Sequence, residues 1–147
     1  LGDFAQVMAF VETQFWPISP LEENTFALYR TAGGSIASIH SSLTQWKNIF
    51  DFEIGGTDGY MSVEGLGGGY GTEKLIFGRR DFAAPFGDEI TEFRGEDRSW
   101  MTEWREFVVA IQENREPLGT AIDGLEAMKL VHAAYKSAST KSAVDLK

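Results

Sequence analysis

The chain has 147 residues, no cysteine and a formal net charge of −9 at pH 7, from 13 basic and 22 acidic residues. This acidic balance argues against a non-specific nucleic-acid binder and against adsorption to an anionic membrane surface, because both need a basic face. The lack of cysteine excludes disulfide scaffolds, thiolate metal sites and cysteine nucleophiles, and it fits a cytoplasmic protein. No apolar run approaches the roughly 20 residues that a membrane-spanning helix needs.

The chain opens Leu1-Gly2-Asp3, without Met and without a signal-like leader. These residues look like the end of an earlier helix, with Gly2 where a C-terminal cap would lie. We therefore expect a segment of a longer protein. Its length and its 43% hydrophobic content predict one domain, over residues 1–147.

The first two-thirds of the chain is predicted to form strands, because runs rich in β-branched and aromatic residues are separated by turn signals. Asp58-Gly59 is typical of a tight hairpin turn. The Pro- and Gly-bearing stretch 83–88 is predicted to be a surface loop. The predicted strands lie within residues 4–16, 24–31, 35–43, 48–56, 60–66, 72–80 and 89–95.

The last third is predicted to be helical. Residues 99–115 carry an apolar stripe, and we interpret Trp100 and Trp104 in it as helix core rather than as ligand contacts. Thr120 and Asp123 predict a capping box at the start of a second helix. The predicted core stripe of that helix comprises Ile122, Leu125, Met128, Val131 and Tyr135. Residues 143–146 are predicted to add an edge strand.

Strands first and helices last predict an α+β fold with one large, open, mostly antiparallel sheet and two C-terminal helices packed on one face. Apolar or aromatic residues occupy many strand positions on both faces of the predicted sheet. The uncovered face of the sheet is therefore expected to meet another subunit or domain.

The stretch GLGGGYG, residues 65–71, has five glycines in seven positions but fits no nucleotide-binding pattern. Counting from Gly65 or from Gly67 does not give the glycine spacing of a dinucleotide fingerprint. The Gly-Lys-Ser/Thr ending of a P-loop is also missing. The following residues also read as a strand rather than as a helix. We interpret the stretch as a mobile connection between two strands, from which Tyr70 could contact a ligand.

Polar and aromatic side chains concentrate between residues 38 and 48. His40 lies in a predicted strand rich in hydroxyls, which is followed by Trp46, Lys47 and Asn48. Such groups suit a polyol, because hydroxyls, amides and amines bond sugar hydroxyls and a Trp ring packs on a sugar face. A solvent-exposed polar strand with Trp46 in the core explains the same residues equally well. His132 is interpreted as structural or exposed.

Hydrolytic and metal chemistry find little support in the sequence. No pair of acidic residues stands out as an acid and base. Neither the HExxH metal pattern nor the GxSxG nucleophile elbow is present.

The order of the segments resembles one family, the glucose–fructose oxidoreductase, inositol dehydrogenase and rhizopine-catabolism (Gfo/Idh/MocA) oxidoreductases, in its C-terminal half. The resemblance covers nearly the whole chain. It is carried by LGDFAQVMAF, EENTFALYRTAGGSIASIHSS, FEIGGTDGYMSVEG, SWMTEWREFVVAIQENREPLGTAIDGLEAMKLVHAAYKSA and AVDL.

The resemblance implies a full-length enzyme whose N-terminal Rossmann domain binds NAD or NADP, and which transfers hydride from a sugar or polyol. The domain seen here would form part of the substrate pocket and pack sheet to sheet in oligomers. The family's catalytic Lys, His and Asp would precede Leu1, so no catalytic residue is carried over, and this segment alone is expected to hold no cofactor and to be inactive.

The candidate substrate-binding residues are His40, Trp46, Lys47, Asn48, Tyr70 and Lys74. A lysine among them would suit an anionic sugar or sugar phosphate. The alternative is a stand-alone module that binds carbohydrate or protein without a cofactor. A Rossmann domain encoded upstream would favour the oxidoreductase over the stand-alone module.

Overall fold

The computed structural model describes residues 2–83 and 87–146. The expected surface loop at 83–88 therefore falls partly outside the described residues, at positions 84–86. The described elements are β1 (Phe4–Glu12), β2 (Asn24–Thr31), β3 (Ile36–Ser42), β4 (Asp51–Gly55), β5 (Gly59–Glu64), β6 (Glu73–Arg79), β7 (Asp88–Phe93), α1 (Ser99–Gln112), α2 (Ala121–Thr140) and β8 (Val144–Asp145).

The chain divides into two compact units. The terminal unit contains residues up to Thr44 and from Glu116 onward, and the central unit contains Gln45–Arg115. The terminal unit holds a sheet of order β3-β2-β1-β8, and the central unit holds a sheet of order β4-β5-β6-β7. Each of these pairings is antiparallel.

The α+β class with antiparallel strands and two helices near the C-terminus is confirmed. The prediction of one large sheet differs from the structure, which has two four-stranded sheets in the described residues. The hydrophobic pattern identifies strands, but it does not state which strands pair. That residues 1–147 act as one domain stays a prediction.

The core of the terminal unit lies between α2 and the middle strands of its sheet. Small side chains let the helix approach closely, and the buried cluster is Val7, Ala9, Ala27, Tyr29, Ala133 and Ala134. Ser137 is fully buried, accepts a hydrogen bond from the Ala9 amide at 3.0 Å and donates one to the Ser142 carbonyl at 2.7 Å. This hydroxyl therefore ties α2 to β1.

The predicted core stripe of α2 is wrong. Its members are all exposed, from 40% for Val131 to 70% for Ile122. The helix instead buries Ala133, Ala134 and Ser137, with Leu130 packed beside them. That face is opposite the predicted one, because alanine and serine give a weaker hydrophobic signal than leucine and methionine. The capping box of Thr120 and Asp123 is confirmed.

The predicted core role of the α1 aromatics is also wrong. Trp100 is 82% exposed and Trp104 is 68% exposed, and Ala110 is the buried residue of this helix. Of the two helices, α2 packs on the sheet of the terminal unit. Helix α1 belongs to the central unit. None of the described helices is long and apolar enough to cross a membrane.

One face of the terminal sheet remains open. Phe10, Phe26 and His40 stand in register across β1, β2 and β3, so their side chains share this face. Phe10 is 65% exposed and Phe26 51%. Leu28 and Ile36, also exposed, lie on the same face.

The central sheet has one apolar and one more polar face. Phe52, Ile54 and Met61 lie on the apolar face, and all three are exposed. The other face carries a row of Asp51, Glu64 and Lys74 at one end of the sheet. The candidate site lies over this charged row.

Candidate functional site

A cleft lies at the end of the central sheet where β5 ends and β6 begins. Its floor is the charged row, because directly opposite residues of an antiparallel sheet project from the same face. The cleft has a volume of about 730 Å³. Its lining residues are Trp46, Lys47, Asn48, Ile49, Phe50, Asp51, Glu64, Gly65, Gly69, Tyr70, Gly71, Thr72 and Lys74.

Five of the six predicted site residues meet in this cleft. Trp46, Lys47 and Asn48 come from the segment before β4, Tyr70 from the glycine-rich loop and Lys74 from β6. The structure does not place His40 among them. It lies in the terminal unit, where its ring stacks on Phe26 at a centroid distance of 4.0 Å and an interplanar angle of 14°.

Trp46 is presented to solvent rather than packed in a core. Its side chain is 69% exposed, so the interpretation of Trp46 as a core residue is wrong. Its backbone is left-handed, with a φ of 55°. Bulky residues rarely adopt this conformation, which is concentrated at functional positions.

The glycine-rich loop connects β5 to β6, as predicted. Gly65 has a φ of +80°, and a Cβ at that position would meet the Thr72 carbonyl oxygen at 2.7 Å. Only glycine therefore allows the loop to leave β5 and return beside it.

The loop is held by hydrogen bonds. The Gly67 amide donates to Glu73 Oε1 at 2.6 Å, and the Tyr70 amide donates to the Leu66 carbonyl at 3.2 Å. The Asn48 side-chain amide donates to the Gly69 carbonyl at 3.2 Å. Asn48 thus fastens the Trp46 segment to the loop that carries Tyr70.

The charges of the cleft are balanced. Lys74 Nζ lies 3.6 Å from Glu64 Oε2, and Asp51 accepts a hydrogen bond from the Ser62 hydroxyl at 3.0 Å. Lys47 adds the second cation. Asp51 and Glu64 were not singled out in the sequence, since their contribution depends on the register of β4, β5 and β6.

A second cleft, of about 810 Å³, shares Gly71 and Thr72 with the first and continues to residues 92–97. Its carboxylates are bonded to nearby backbone or side chains. Glu73 binds the Gly67 amide, Glu92 binds Arg94 at 2.7 Å, and Asp97 binds the Ser99 amide at 2.9 Å. These bonds stabilise the loops around the second cleft. Within the described ranges, no cluster of three or more His, Asp or Glu side chains could hold a metal ion.

The fold is shared with solved sugar oxidoreductases. Levoglucosan dehydrogenase in complex with NADH is 20% identical, with a TM-score of 0.81 over 100% of this chain and 46% of that one. Aldose-aldose oxidoreductase from Caulobacter crescentus, complexed with glycerol, is 16% identical, with a TM-score of 0.76 over 98% of this chain and 42% of that one.

WlbA dehydrogenase from Bordetella pertussis, in complex with NADH and UDP-GlcNAcA, is 21% identical, with a TM-score of 0.71 over 100% of this chain and 40% of that one. The chain thus spans less than half the length of these proteins. A sequence search of curated proteins gives no match.

The family model described as the C-terminal alpha/beta domain of the oxidoreductase family, Gfo/Idh/MocA, matches residues 1–146. The match covers both units and all ten described elements. The chain therefore belongs to the Gfo/Idh/MocA oxidoreductase family, as its C-terminal α/β domain.

Proposed function

We propose that this chain is the substrate-binding and oligomerisation domain of an NAD(P)-dependent oxidoreductase that acts by hydride transfer on a sugar, a polyol or a sugar derivative. The observation that carries the proposal is the cleft at the end of the central sheet. It brings Trp46, Lys47, Asn48, Tyr70 and Lys74 together from three separate segments. Pockets that combine aromatic surface with a few placed polar groups are typical ligand sites.

Each side chain of the cleft has a distinct role in this proposal. The exposed rings of Trp46 and Tyr70 pack against the C–H face of a sugar ring. The amines of Lys47 and Lys74 donate hydrogen bonds to ring hydroxyls. Asn48 positions Tyr70 through its bond to Gly69. His40 lies in the terminal unit, on the open sheet face beside Phe26, and has no role in this cleft.

The similar solved structures support a sugar substrate. Levoglucosan dehydrogenase occurs in complex with NADH and levoglucosan, and with NADH and L-sorbose. These ligands belong to that protein. For the present chain they make neutral sugars the first compounds to test.

The glycine-rich loop does not have the features of a dinucleotide-binding loop. The glycine-rich loop leads into a strand rather than a helix, and its Gly67 and Tyr70 amides are already bonded within the loop. A dinucleotide needs free amides at the start of a helix. We place the cofactor, NAD or NADP, in another part of the full-length protein and derive no chemical step from this chain.

The open face of the terminal sheet is proposed as the oligomer contact. Phe10, Phe26, Leu28 and Ile36 form an exposed apolar surface there. A second copy of the protein would cover it, as large exposed apolar patches commonly mark protein contacts. The cysteine-free composition agrees with a cytoplasmic enzyme.

The test is turnover by the full-length protein. A panel of aldoses, ketoses, anhydrosugars and polyols is incubated with NAD⁺ or NADP⁺, and reduction of the nicotinamide is followed by absorbance. Reduction that depends on a sugar supports the proposal. If sugars bind but reduce neither cofactor, the stand-alone carbohydrate-binding module replaces the oxidoreductase.

A further inference from the structure

The charged groups of the substrate cleft neutralise one another. Asp51, Glu64 and Lys74 stand in one row across three strands, and the Lys74 amine lies 3.6 Å from the Glu64 carboxylate. The lining contains two lysines and two carboxylates, and no arginine or histidine among the described residues. An anionic substrate would therefore gain no net attraction from the cleft.

Part of the backbone of the glycine-rich loop is bonded within the protein. Phosphate and carboxylate groups are commonly held by successive free amides of a glycine-rich loop. In this loop the carboxylate of Glu73 already accepts from the Gly67 amide, and the Tyr70 amide is bonded to the Leu66 carbonyl. The Gly67 amide is therefore bonded to a carboxylate of the protein itself.

The whole chain disfavours an anion further, since its formal net charge is −9 at pH 7. Beside its balanced charges, the cleft offers aromatic surface and a neutral hydroxyl. Trp46 is 69% exposed and Tyr70 42%, while Thr72 adds a hydroxyl. This combination recognises rings that carry hydroxyls and no charge.

We infer that the cleft takes an uncharged polyhydroxy compound and discriminates against phosphorylated, nucleotide-linked and carboxylated sugars. The inference rests on the proposed function and narrows its substrate class. Glu64 sets the preference, because it neutralises Lys74. It is a specificity-determining residue rather than a catalytic one.

The experiment compares sugars that differ in charge. The full-length protein is tested with glucose, glucuronate and glucose 6-phosphate, and with galactose and galacturonate, for binding by calorimetry and for nicotinamide reduction. The expected result is a kcat/KM at least about tenfold higher for the neutral member of each pair. Equal values, or a preference for the charged member, would overturn the inference and leave the proposed function intact.

Variants separate local charge from net charge. Glu64→Gln should raise the charged-to-neutral ratio of kcat/KM about five- to tenfold, because it frees Lys74 in a partly shielded site. Glu89→Gln removes the same charge from β7, outside the cleft, where Glu89 lies 3.8 Å from Arg79, and should leave the ratio within about twofold. Equal effects of the two variants would overturn the role of Glu64. Failure of every sugar to bind or react would overturn the proposed function itself.

Discussion

At the scale of single residues, Glu23 fixes the loop between β1 and β2. Its side chain is buried, and its carboxylate accepts hydrogen bonds from the amides of Gln14, Phe15 and Trp16 at 2.7, 2.7 and 2.6 Å. Burial alone would raise the pKa of this carboxyl, but the three amide donors outweigh it and hold the pKa below its ordinary value. One charged side chain thus satisfies three backbone groups.

Glu23→Gln should loosen this loop. An amide side chain has one acceptor oxygen and no charge, so it cannot replace three charge-assisted hydrogen bonds. Hydrogen exchange of the Gln14, Phe15 and Trp16 amides should accelerate about tenfold or more, as measured by mass spectrometry. The control is Glu22→Gln, which removes the adjacent charge and weakens the bond from Tyr135. Equal acceleration in both variants would contradict the role of Glu23.

The same loop should loosen in acid. Because the folded pKa of Glu23 is depressed, its contribution is present above the unfolded value of about 4.5 and is lost as the pH falls through the lower folded value. Exchange of the three amides, corrected for intrinsic rates, should rise as the pH drops below about 4.5. A pH-independent protection factor would show that the carboxylate does not hold the loop.

Gly78 is required by a neighbouring ring. Gly55, Tyr60 and Gly78 stand in register, and the Tyr60 ring lies over Gly78 where a Cβ would overlap it. Gly78→Ala should lower the free energy of unfolding by about 1–3 kcal/mol, because the ring must move. Gly55→Ala is the matched control, since nothing lies within 4 Å of its added Cβ. Equal losses in urea denaturation would contradict the packing.

At the scale of elements, α2 shows how helix and sheet are joined. The Ser137 hydroxyl is fully buried and bonds both the Ala9 amide and the Ser142 carbonyl. Ser137→Ala should lower the free energy of unfolding by about 1–3 kcal/mol, since it leaves the buried Ala9 amide unpaired. Ser139→Ala, on the exposed side of the same helix, should change it by less than about 0.5 kcal/mol. A small loss for Ser137→Ala would contradict this account.

Elements were easier to predict from sequence than their contacts. Strand and helix positions follow from local pattern and capping, as Thr120 and Asp123 show. The buried side of α2 could not be predicted from the local pattern, because alanine and serine pack there while larger apolar residues face outward. Strand pairing depends on tertiary contacts, so the two-sheet arrangement was missed.

The candidate site was also predicted only in part. The residues of segment 46–48, Tyr70 and Lys74 were identified from residue type, and they do share a cleft. Asp51 and Glu64 were not, because they join the site only through the register of three strands. His40 was grouped by proximity in sequence, although it belongs to the other unit.

At the scale of the whole molecule, the open face of the terminal sheet predicts self-association. Phe26→Asn should shift the full-length protein toward smaller species in sedimentation velocity, because it removes an apolar side chain from the centre of that face. Phe82→Asn is the control, since Phe82 is 87% exposed in a loop. An unchanged distribution for Phe26→Asn would contradict the proposed contact.

The most direct test of the proposed sugar site is the effect of Trp46→Ala on the full-length enzyme with its best neutral sugar. Trp46→Ala should lower kcat/KM about tenfold or more, mainly through KM, because it removes the ring that packs on the substrate. Trp16→Ala, in the loop held by Glu23, removes a partly exposed Trp outside the cleft and should leave kcat/KM within about twofold. An unchanged kcat/KM for Trp46→Ala would contradict the assignment of the cleft.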